Sequence, residues 1–155
     1  MSKYTIGLFG RWFYMSLLLT QLANFGPHAE ASLDTDQHVS YTYSIWVGSN
    51  ISEEFMLPLR SPENTTFYQA MIQAATMDSR YHFESKNTNW GHYISKIAGV
   101  EENIENNIYW LIYSMEELPD PNNKPGKDLM SPVGVDLLIV KNGGHYLFWY
   151  RDLDL

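Results

Sequence analysis

Hydrophobic and polar residues alternate along several short segments of this chain, a pattern typical of strands that bury one face. In residues 38–47, every second residue is valine, isoleucine or tyrosine. Gly48 ends this segment, and residues 55–59 then alternate in the same way, which predicts a β-hairpin. Pro58 has no backbone N–H to donate, so we expect the second strand to lie at a sheet edge or to contain a bulge.

The apolar residues change to a helical spacing after residue 66. They form a stripe made of Phe67, Ala70, Met71, Ala74, Ala75 and Met77. Thr66 and Gln69 stand three residues apart, as in a capping box, where each side chain bonds the backbone N–H of the other residue. The pattern predicts one helix that begins after Thr66 and turns the stripe towards the core.

Two aromatic-rich segments follow, at residues 90–100 and 109–114. The first alternates and predicts a half-buried strand, preceded by a short strand near residues 81–84. Residues 101–107, which are polar except for Ile104, lie between the two aromatic-rich segments. Their composition predicts a hairpin that joins the segments.

The last part of the chain predicts a loop and a final hairpin. Residues 119–126 contain three prolines, two asparagines and a glycine, which indicates a loop. Residues 135–140 and 145–150 are separated by Asn142-Gly143-Gly144, a typical hairpin turn. A mainly antiparallel sheet of hairpins packed on one helix is an α+β fold.

The N-terminus predicts a secretory signal peptide. Lys3 and Arg11 supply positive charge, residues 12–23 are mostly apolar, and Ala29-Glu30-Ala31 has the form of a signal-peptidase site. Cleavage there separates residues 1–31 from a single domain of residues 32–155. The apolar run is short for a membrane span, so we expect no span in the mature chain; a signal anchor is the alternative.

Two N-glycosylation acceptors support export, at Asn50 and Asn64. Both lie in predicted loops. The chain has no cysteine, so disulfides contribute nothing and the core alone must hold the fold. Together these features predict a secreted, extracellular glycoprotein.

Charge and motif content exclude several function classes. The 155-residue chain has a formal net charge of −8 and no basic patch, which argues against nucleic-acid binding. It has no cysteine nucleophile, no Gly-x-Ser-x-Gly elbow and no glycine-rich phosphate loop. We therefore predict a binding protein without catalytic residues.

The histidines do not predict a metal site in the protein, because no two of them share one face at a ligand spacing. His92 lies between Gly91 and Tyr93 and has two interpretations. It is either a ligand to a bound metal or a solvent-facing strand residue, and the second interpretation is favoured.

An ordered set of short motifs resembles the C-terminal β domain of the cobalamin carriers transcobalamin, haptocorrin and intrinsic factor. The motifs are Trp90-Gly91-His92-Tyr93, Ile97-Ala98-Gly99-Val100, Tyr109-Trp110, Gly134-Val135 and Asn142-Gly143. Residues 67–75 look like the single helix of that domain, and the resemblance covers roughly residues 39–151. It implies a β-grasp-like fold.

The resemblance also implies a ligand-binding surface. In the carriers, the Tyr-Trp strand and the loop that matches residues 129–134 face the corrin ring. The residues implied here are Trp90, Tyr93, Tyr109, Trp110, Leu129, Met130, Pro132 and Gly134. The aromatic members could equally be core residues, because small sheets often bury such side chains.

The carriers close cobalamin between this domain and a large helical barrel, for which this sequence shows no counterpart. We therefore expect a secreted protein that binds cobalamin, a related corrinoid or another flat ligand, with a function in cobalamin transport. A separate protein that supplies the helical domain, or a receptor, would be its partner. The alternative is a secreted protein–protein interaction module that has the same fold and binds no corrinoid.

The secreted protein is expected to begin at Ser32 and to carry glycans on Asn50 and Asn64, because a cleavable leader precedes two acceptors in predicted loops. Intact-mass measurement before and after glycosidase treatment checks both points. A product that still begins at Met1, or retention in the cytosol, would contradict the export prediction.

Overall fold

The computed structural model of the protein describes residues 37–153. The predicted signal peptide, residues 1–31, lies outside this range. Within it, two sheets and one α-helix confirm the predicted α+β class. The elements are β1 (His38–Val47), β2 (Glu53–Pro62), α1 (Phe67–Met77), β3 (Phe83–Thr88), β4 (Gly91–Ile97), β5 (Val100–Glu101), β6 (Ile108–Met115) and β7 (His145–Asp152).

The larger sheet has the strand order β2-β1-β7-β6. Strands β1 and β2 form the predicted antiparallel hairpin, and β2 lies at the sheet edge, as Pro58 indicated. The central pair β1 and β7 is parallel, whereas β7 and β6 are antiparallel. A parallel central pair covered by a helix on one face agrees with the β-grasp-like arrangement that the resemblance implied.

Helix α1 begins as the sequence predicts. The backbone N–H of Thr66 donates to Gln69 Oε1 at 2.9 Å, and Thr66 Oγ1 accepts from the Gln69 N–H, which completes the capping box. The described helix buries Phe67, Ala70, Met71 and Ala74. Met77 does not belong to the buried stripe, because it lies in the last turn and is 58% exposed.

We call the sheet face that packs against α1 the inner face, and Tyr43 lies at its centre. Its ring is fully buried and makes edge contacts with Phe67 at 5.0 Å and Tyr81 at 4.9 Å between ring centroids. Phe148 of β7 completes this group on the sheet side. These contacts join the helix, the turn that follows it and the two central strands into one core.

The opposite face, the outer face, carries a second buried cluster. Its members are Trp46, Tyr113, Met115, Leu147 and Trp149. The connection between β6 and β7 reaches over this face: Lys124 donates to the Ser49 carbonyl at 2.7 Å and lies 5.8 Å from the centroid of the Trp149 ring. Both faces of the larger sheet are therefore covered over part of their area.

The predicted final hairpin is wrong. Residues 135–140 form no regular strand, although Ile139 makes an isolated bridge to Thr66. The four residues from Tyr146 to Trp149 are all buried. A strand that is buried on both faces fits the centre of a sheet, so β7 lies between β1 and β6 and pairs with both.

The hairpin predicted between residues 90–100 and 109–114 is also wrong. Strand β4 belongs to a separate sheet with the order β3-β4-β5. The chain reverses earlier than predicted, because Ala98 and Gly99 have φ values of +52° and +78° and form a tight turn directly after β4. The strand expected near residues 81–84 is present, but it begins at Phe83 and continues to Thr88.

Substitution of Met71 by aspartate is expected to unfold the domain, whereas the same substitution at Met77 is tolerated. Met71 is fully buried on α1, so the carboxylate would be unpaired in the core and cost at least about 4 kcal/mol. Met77 reaches solvent, and a charge there should change the free energy of unfolding by less than about 1 kcal/mol. Urea unfolding followed by circular dichroism measures both, and equal midpoints would contradict the assignment of the helix face.

Candidate functional site

The turn between β3 and β4 holds the indole of Trp90 in solvent. Trp90 is 95% exposed. Its backbone N–H donates to Thr88 Oγ1 at 3.1 Å, and that hydroxyl donates to the Gly91 carbonyl at 2.7 Å. Gly91 has a φ of +103°, which residues with a side chain rarely adopt. The exposed ring is therefore carried by a turn whose backbone is fixed by hydrogen bonds.

Asp136 connects this turn to a distant part of the chain. Its carboxylate accepts the backbone N–H of His92 at 2.6 Å and lies 2.8 Å from His92 Nδ1. A Cβ atom on Gly91 would lie 2.5 Å from Asp136 Oδ2. Glycine is thus required at residue 91 for two reasons, the backbone conformation and the close approach of the carboxylate.

The imidazole of His92 is held from a second side by Tyr68 of α1. The two rings are stacked, with centroids 3.8 Å apart and planes 12° from parallel. Partial burial of Asp136 acts to raise the pKa of its carboxyl, but the hydrogen bonds from the backbone and side chain of His92 outweigh it, so this pKa lies below its usual value. The carboxylate therefore stays ionised and acts as the acceptor in this contact.

The loop that carries Asp136 starts at the free edge of β6. Ser131 donates its N–H to the Ile112 carbonyl at 2.8 Å, and Met130 forms an isolated bridge with Tyr113. Farther along, the Tyr68 N–H donates to the Val135 carbonyl at 3.0 Å. The loop thus runs from the larger sheet past the start of α1 to the β3–β4 turn.

Within this loop, the predicted site residues differ in their exposure. Leu129, Pro132 and Gly134 are exposed. Met130 is half-buried and packs against the cluster on the outer face. Three of the four predicted loop residues therefore offer accessible surface.

Tyr93 and Tyr109 lie close to each other on β4 and at the start of β6. Tyr93 is 41% exposed, and its hydroxyl donates to Glu102, which also lies 3.9 Å from the Lys86 ammonium. Burial, the hydrogen bond to Glu102 and then the charges of Glu102 and Tyr109 raise the pKa of Tyr93. Tyr93 therefore stays a neutral phenol at physiological pH, and Tyr109 is half-buried beside it.

Trp110 does not share this exposure. It is 7% exposed, its Nε1 donates to the Val100 carbonyl at 2.9 Å, and its ring packs 5.1 Å from that of Tyr150. Through these contacts, Trp110 of β6 connects β5 of the smaller sheet with β7 of the larger one. The structure thus corrects the prediction that Trp110 faces a ligand, because its ring is in the core.

The structure brings the β3–β4 turn and the 129–136 loop together through the contact between His92 and Asp136. The predicted site residues that are exposed on this turn, on β4 and on the loop are Trp90, Tyr93, Leu129, Pro132 and Gly134, and we call this set the candidate surface. Sequence reasoning missed Asp136 and Tyr68, which hold it in place. No local pattern marks these two residues, since Asp136 is 44 positions away from His92.

The glycosylation acceptors and the cavity described next lie mostly outside the candidate surface. The two glycosylation acceptors, Asn50 and Asn64, are both exposed in turns. Residues 37–153 contain no group of three histidine, aspartate or glutamate side chains placed to hold a metal ion. A cavity of about 560 Å³ under the loop after β6 shares only Leu129 with the candidate surface.

Comparison with known proteins gives one relative in sequence and a likeness in fold. No protein-family model matches the chain. The uncharacterized protein CG3556 of Drosophila melanogaster is 50% identical over 129 residues, which are 83% of this chain and 22% of that protein. The chain therefore spans about a fifth of the length of this relative.

Haptocorrin, solved in complex with Cbi, superimposes with a TM-score of 0.61 and 21% sequence identity. The match covers 76% of this chain and 26% of the haptocorrin chain. It shows that a part of haptocorrin has the same fold as this protein, in agreement with the resemblance to the cobalamin carriers.

The two tryptophans at residues 90 and 110 should respond differently to alanine. Trp110→Ala leaves a cavity in the core and is expected to lower the free energy of unfolding by about 3–5 kcal/mol. Trp90→Ala removes an exposed ring and should change it by less than about 0.5 kcal/mol. Urea titration of both variants checks this, and similar losses would show that Trp90 is not a surface residue.

Proposed function

We propose that the protein is a binding protein, not an enzyme, and that it takes a flat, largely apolar ligand such as cobalamin or a related corrinoid on the candidate surface. The observation that carries this proposal is the 95% exposure of Trp90 on a hydrogen-bonded turn. An indole in water exposes a large apolar area that binding would bury. The hydrogen-bonded turn fixes the backbone that carries this ring, so a partner has to order only the side chain.

The residues of the candidate surface suit a corrinoid in their chemistry. Trp90 offers a flat ring for stacking, and Leu129 and Pro132 offer apolar contact. The neutral hydroxyl of Tyr93 donates to Glu102 and can still accept a hydrogen bond from an amide group of such a ligand. Haptocorrin, which shares the fold, forms a complex with Cbi, and this supports the choice of ligand class.

An open surface covers only one side of a large ligand. Sites that bind such molecules tightly bury most of the ligand's surface. We therefore propose that a second wall comes from a partner, either a separate protein that supplies a helical domain or a receptor. Export and glycosylation at Asn50 and Asn64 belong to the same proposal, because a carrier of this kind acts outside the cell.

A protein–protein interaction module is the second candidate function. Leu137, one residue after Asp136, is 72% exposed, and Val133 on the same loop is exposed as well. These side chains add aliphatic area next to the candidate surface, and apolar patches of this type also mark protein interfaces. The fold would then serve a protein partner without a corrinoid.

Trp90→Ala is expected to weaken corrinoid binding while the fold is unchanged. Loss of one large stacking contact from an open site should cost about 1–3 kcal/mol, or roughly 10- to 100-fold in Kd. Calorimetric titration with cobalamin and cobinamide measures the effect, and circular dichroism checks the fold. Met56→Ala is the matched control, because Met56 is 58% exposed on β2 outside the candidate surface.

The outcome separates the two functions. Equal affinities for wild type and Trp90→Ala would contradict the assignment of the surface. Absence of binding by the wild type at millimolar corrinoid would reject the carrier function and favour the interaction module.

A further inference from the structure

Strand β2 is the longest of the described strands that lie at a sheet edge. It spans Glu53–Pro62 and pairs on one side only, with β1. The opposite edge of the same sheet is partly covered, because the Ser131 N–H donates to the Ile112 carbonyl of β6. An exposed edge strand presents unpaired N–H and C=O groups, to which a strand of another molecule can add. Among the described strands, β2 therefore offers the longest edge for self-association.

The even-numbered residues of β2 turn their backbone groups away from β1. In an antiparallel pair, residues that bond the partner strand alternate with residues that face away from it. The Glu63 N–H, directly after β2, donates to the Gln37 carbonyl at 2.8 Å, so the odd-numbered residues bond the β1 side. Thr42, which lies opposite Pro58, agrees, because its N–H donates to the Gly144 carbonyl on the β7 side. The residues that face outward are Glu54, Met56, Pro58, Arg60 and Pro62.

Residues 58–62, which we call the closed half of the edge, have few free backbone groups. Pro58 and Pro62 have no N–H to donate. The Arg60 carbonyl accepts a hydrogen bond from Gln73 Nε2 of α1 at 3.0 Å. The Pro62 carbonyl accepts one from Thr65 Oγ1 at 2.7 Å. Prolines and side chains of this protein therefore prevent another strand from pairing here.

Residues 53–57, the open half of the edge, have no such protection. Among residues 37–153, no group bonds the outward N–H or C=O of Glu54 or Met56, and the Met56 side chain is 58% exposed. In an antiparallel pairing of two copies centred on Phe55, Glu54 of one copy lies opposite Met56 of the other, and the two residues exchange both hydrogen bonds. No two carboxylates then lie directly opposite each other. The open half is therefore complementary to a second copy of itself.

The two glycosylation acceptors lie at the two ends of β2. Asn50 is in the turn before the open half, and Asn64 follows the closed half. Successive residues of a strand rise by about 3.3 Å, so Met56 lies about 10 Å from the start of the strand at Glu53. An N-linked glycan is bulky and hydrated. A glycan on Asn50 would thus be attached next to the unpaired backbone groups.

The turn that carries Asn50 is held on both sides of this residue. On one side, Lys124 donates to the Ser49 carbonyl at 2.7 Å. On the other side, Ile51 packs against the cluster on the outer face, and its N–H donates to the Gly48 carbonyl at 2.9 Å. The point of attachment of the glycan is therefore fixed relative to β2.

We propose that a glycan on Asn50 shields the open half of the β2 edge and so prevents β2 from pairing with the β2 strand of a second copy. The closed half needs no glycan for this purpose. The inference rests on the export and glycosylation in the proposed function and is independent of the bound ligand. It gives the two acceptors different roles, since Asn50 lies beside unpaired backbone groups and Asn64 lies beside paired ones.

The test compares Asn50→Gln with Asn64→Gln, each expressed as the full chain through the secretory pathway of a eukaryotic cell. Intact mass records which acceptors carry glycans, and sedimentation velocity over a concentration series measures association. Wild type and Asn64→Gln are expected to remain monomeric. The weight-average mass of Asn50→Gln should rise with concentration towards that of a dimer. Circular dichroism checks that all three proteins have the same fold.

A second substitution in the Asn50→Gln protein locates the contact. Met56→Pro removes an outward N–H that β1 does not use, as Pro58 does two residues later, and should restore the monomer. Met56→Ala is the matched control, because it shortens the same side chain but keeps the N–H. This variant should associate as Asn50→Gln does.

The outcomes separate this inference from the proposed function. A monomeric Asn50→Gln protein, when the wild type carries a glycan on Asn50, would overturn the shielding role and leave the proposed function intact. Equal association of the Asn50→Gln and Asn64→Gln proteins, or association that Met56→Pro does not reduce, would overturn the role of the β2 edge. An unmodified Asn50 in the secreted wild type would overturn this inference together with the glycosylation in the proposed function.

Discussion

The structure depends on the burial of β7 on both faces. Tyr146 and Phe148 point to the inner face, where α1 packs, and Leu147 and Trp149 belong to the cluster on the outer face. Since four successive side chains leave water, the strand gains most when both of its edges are paired as well. This places β7 between β1 and β6 and makes it the element that joins the two cores.

The position of β7 explains why the candidate surface exists. Strands β6 and β7 are antiparallel neighbours that a short turn could join, yet residues 116–144 lie between them. This long connection first crosses the outer face, then follows the edge of β6 at Ile112, and finally reaches the start of α1 at Tyr68. Backbone hydrogen bonds to β6 and to the start of α1 pair some of its polar groups, which anchors an irregular segment along its path.

Asp136 lies where this connection meets the smaller sheet. The carboxylate receives two hydrogen bonds from one residue, His92, and it fits only because residue 91 has no Cβ. Charge-assisted hydrogen bonds of this kind are stronger than neutral ones, and here they connect two segments that share no strand pairing. The same contact, together with the stacked ring of Tyr68, holds the imidazole of His92 in one orientation.

The sequence by itself determined the elements whose signals are local. The alternation in residues 38–47, Pro58 at the edge and the Thr66–Gln69 capping box each depend on neighbours within a few positions, and the structure has all three. The exposure of Trp90 and the burial of Trp110 could not be separated in this way, because both are tryptophans beside a strand. Which ring is covered depends on Val100 and Tyr150, which come from other strands.

Only the tertiary structure decided the strand pairing and the contact between Asp136 and His92. The turn at Asn142-Gly143-Gly144 predicted a local hairpin, but β7 pairs instead with β1, which lies about a hundred residues earlier. Local turn preference contributes little free energy compared with the burial of four large side chains, so the long-range pairing prevails. The contact of Asp136 with His92 follows from that pairing and has no pattern of its own in the sequence.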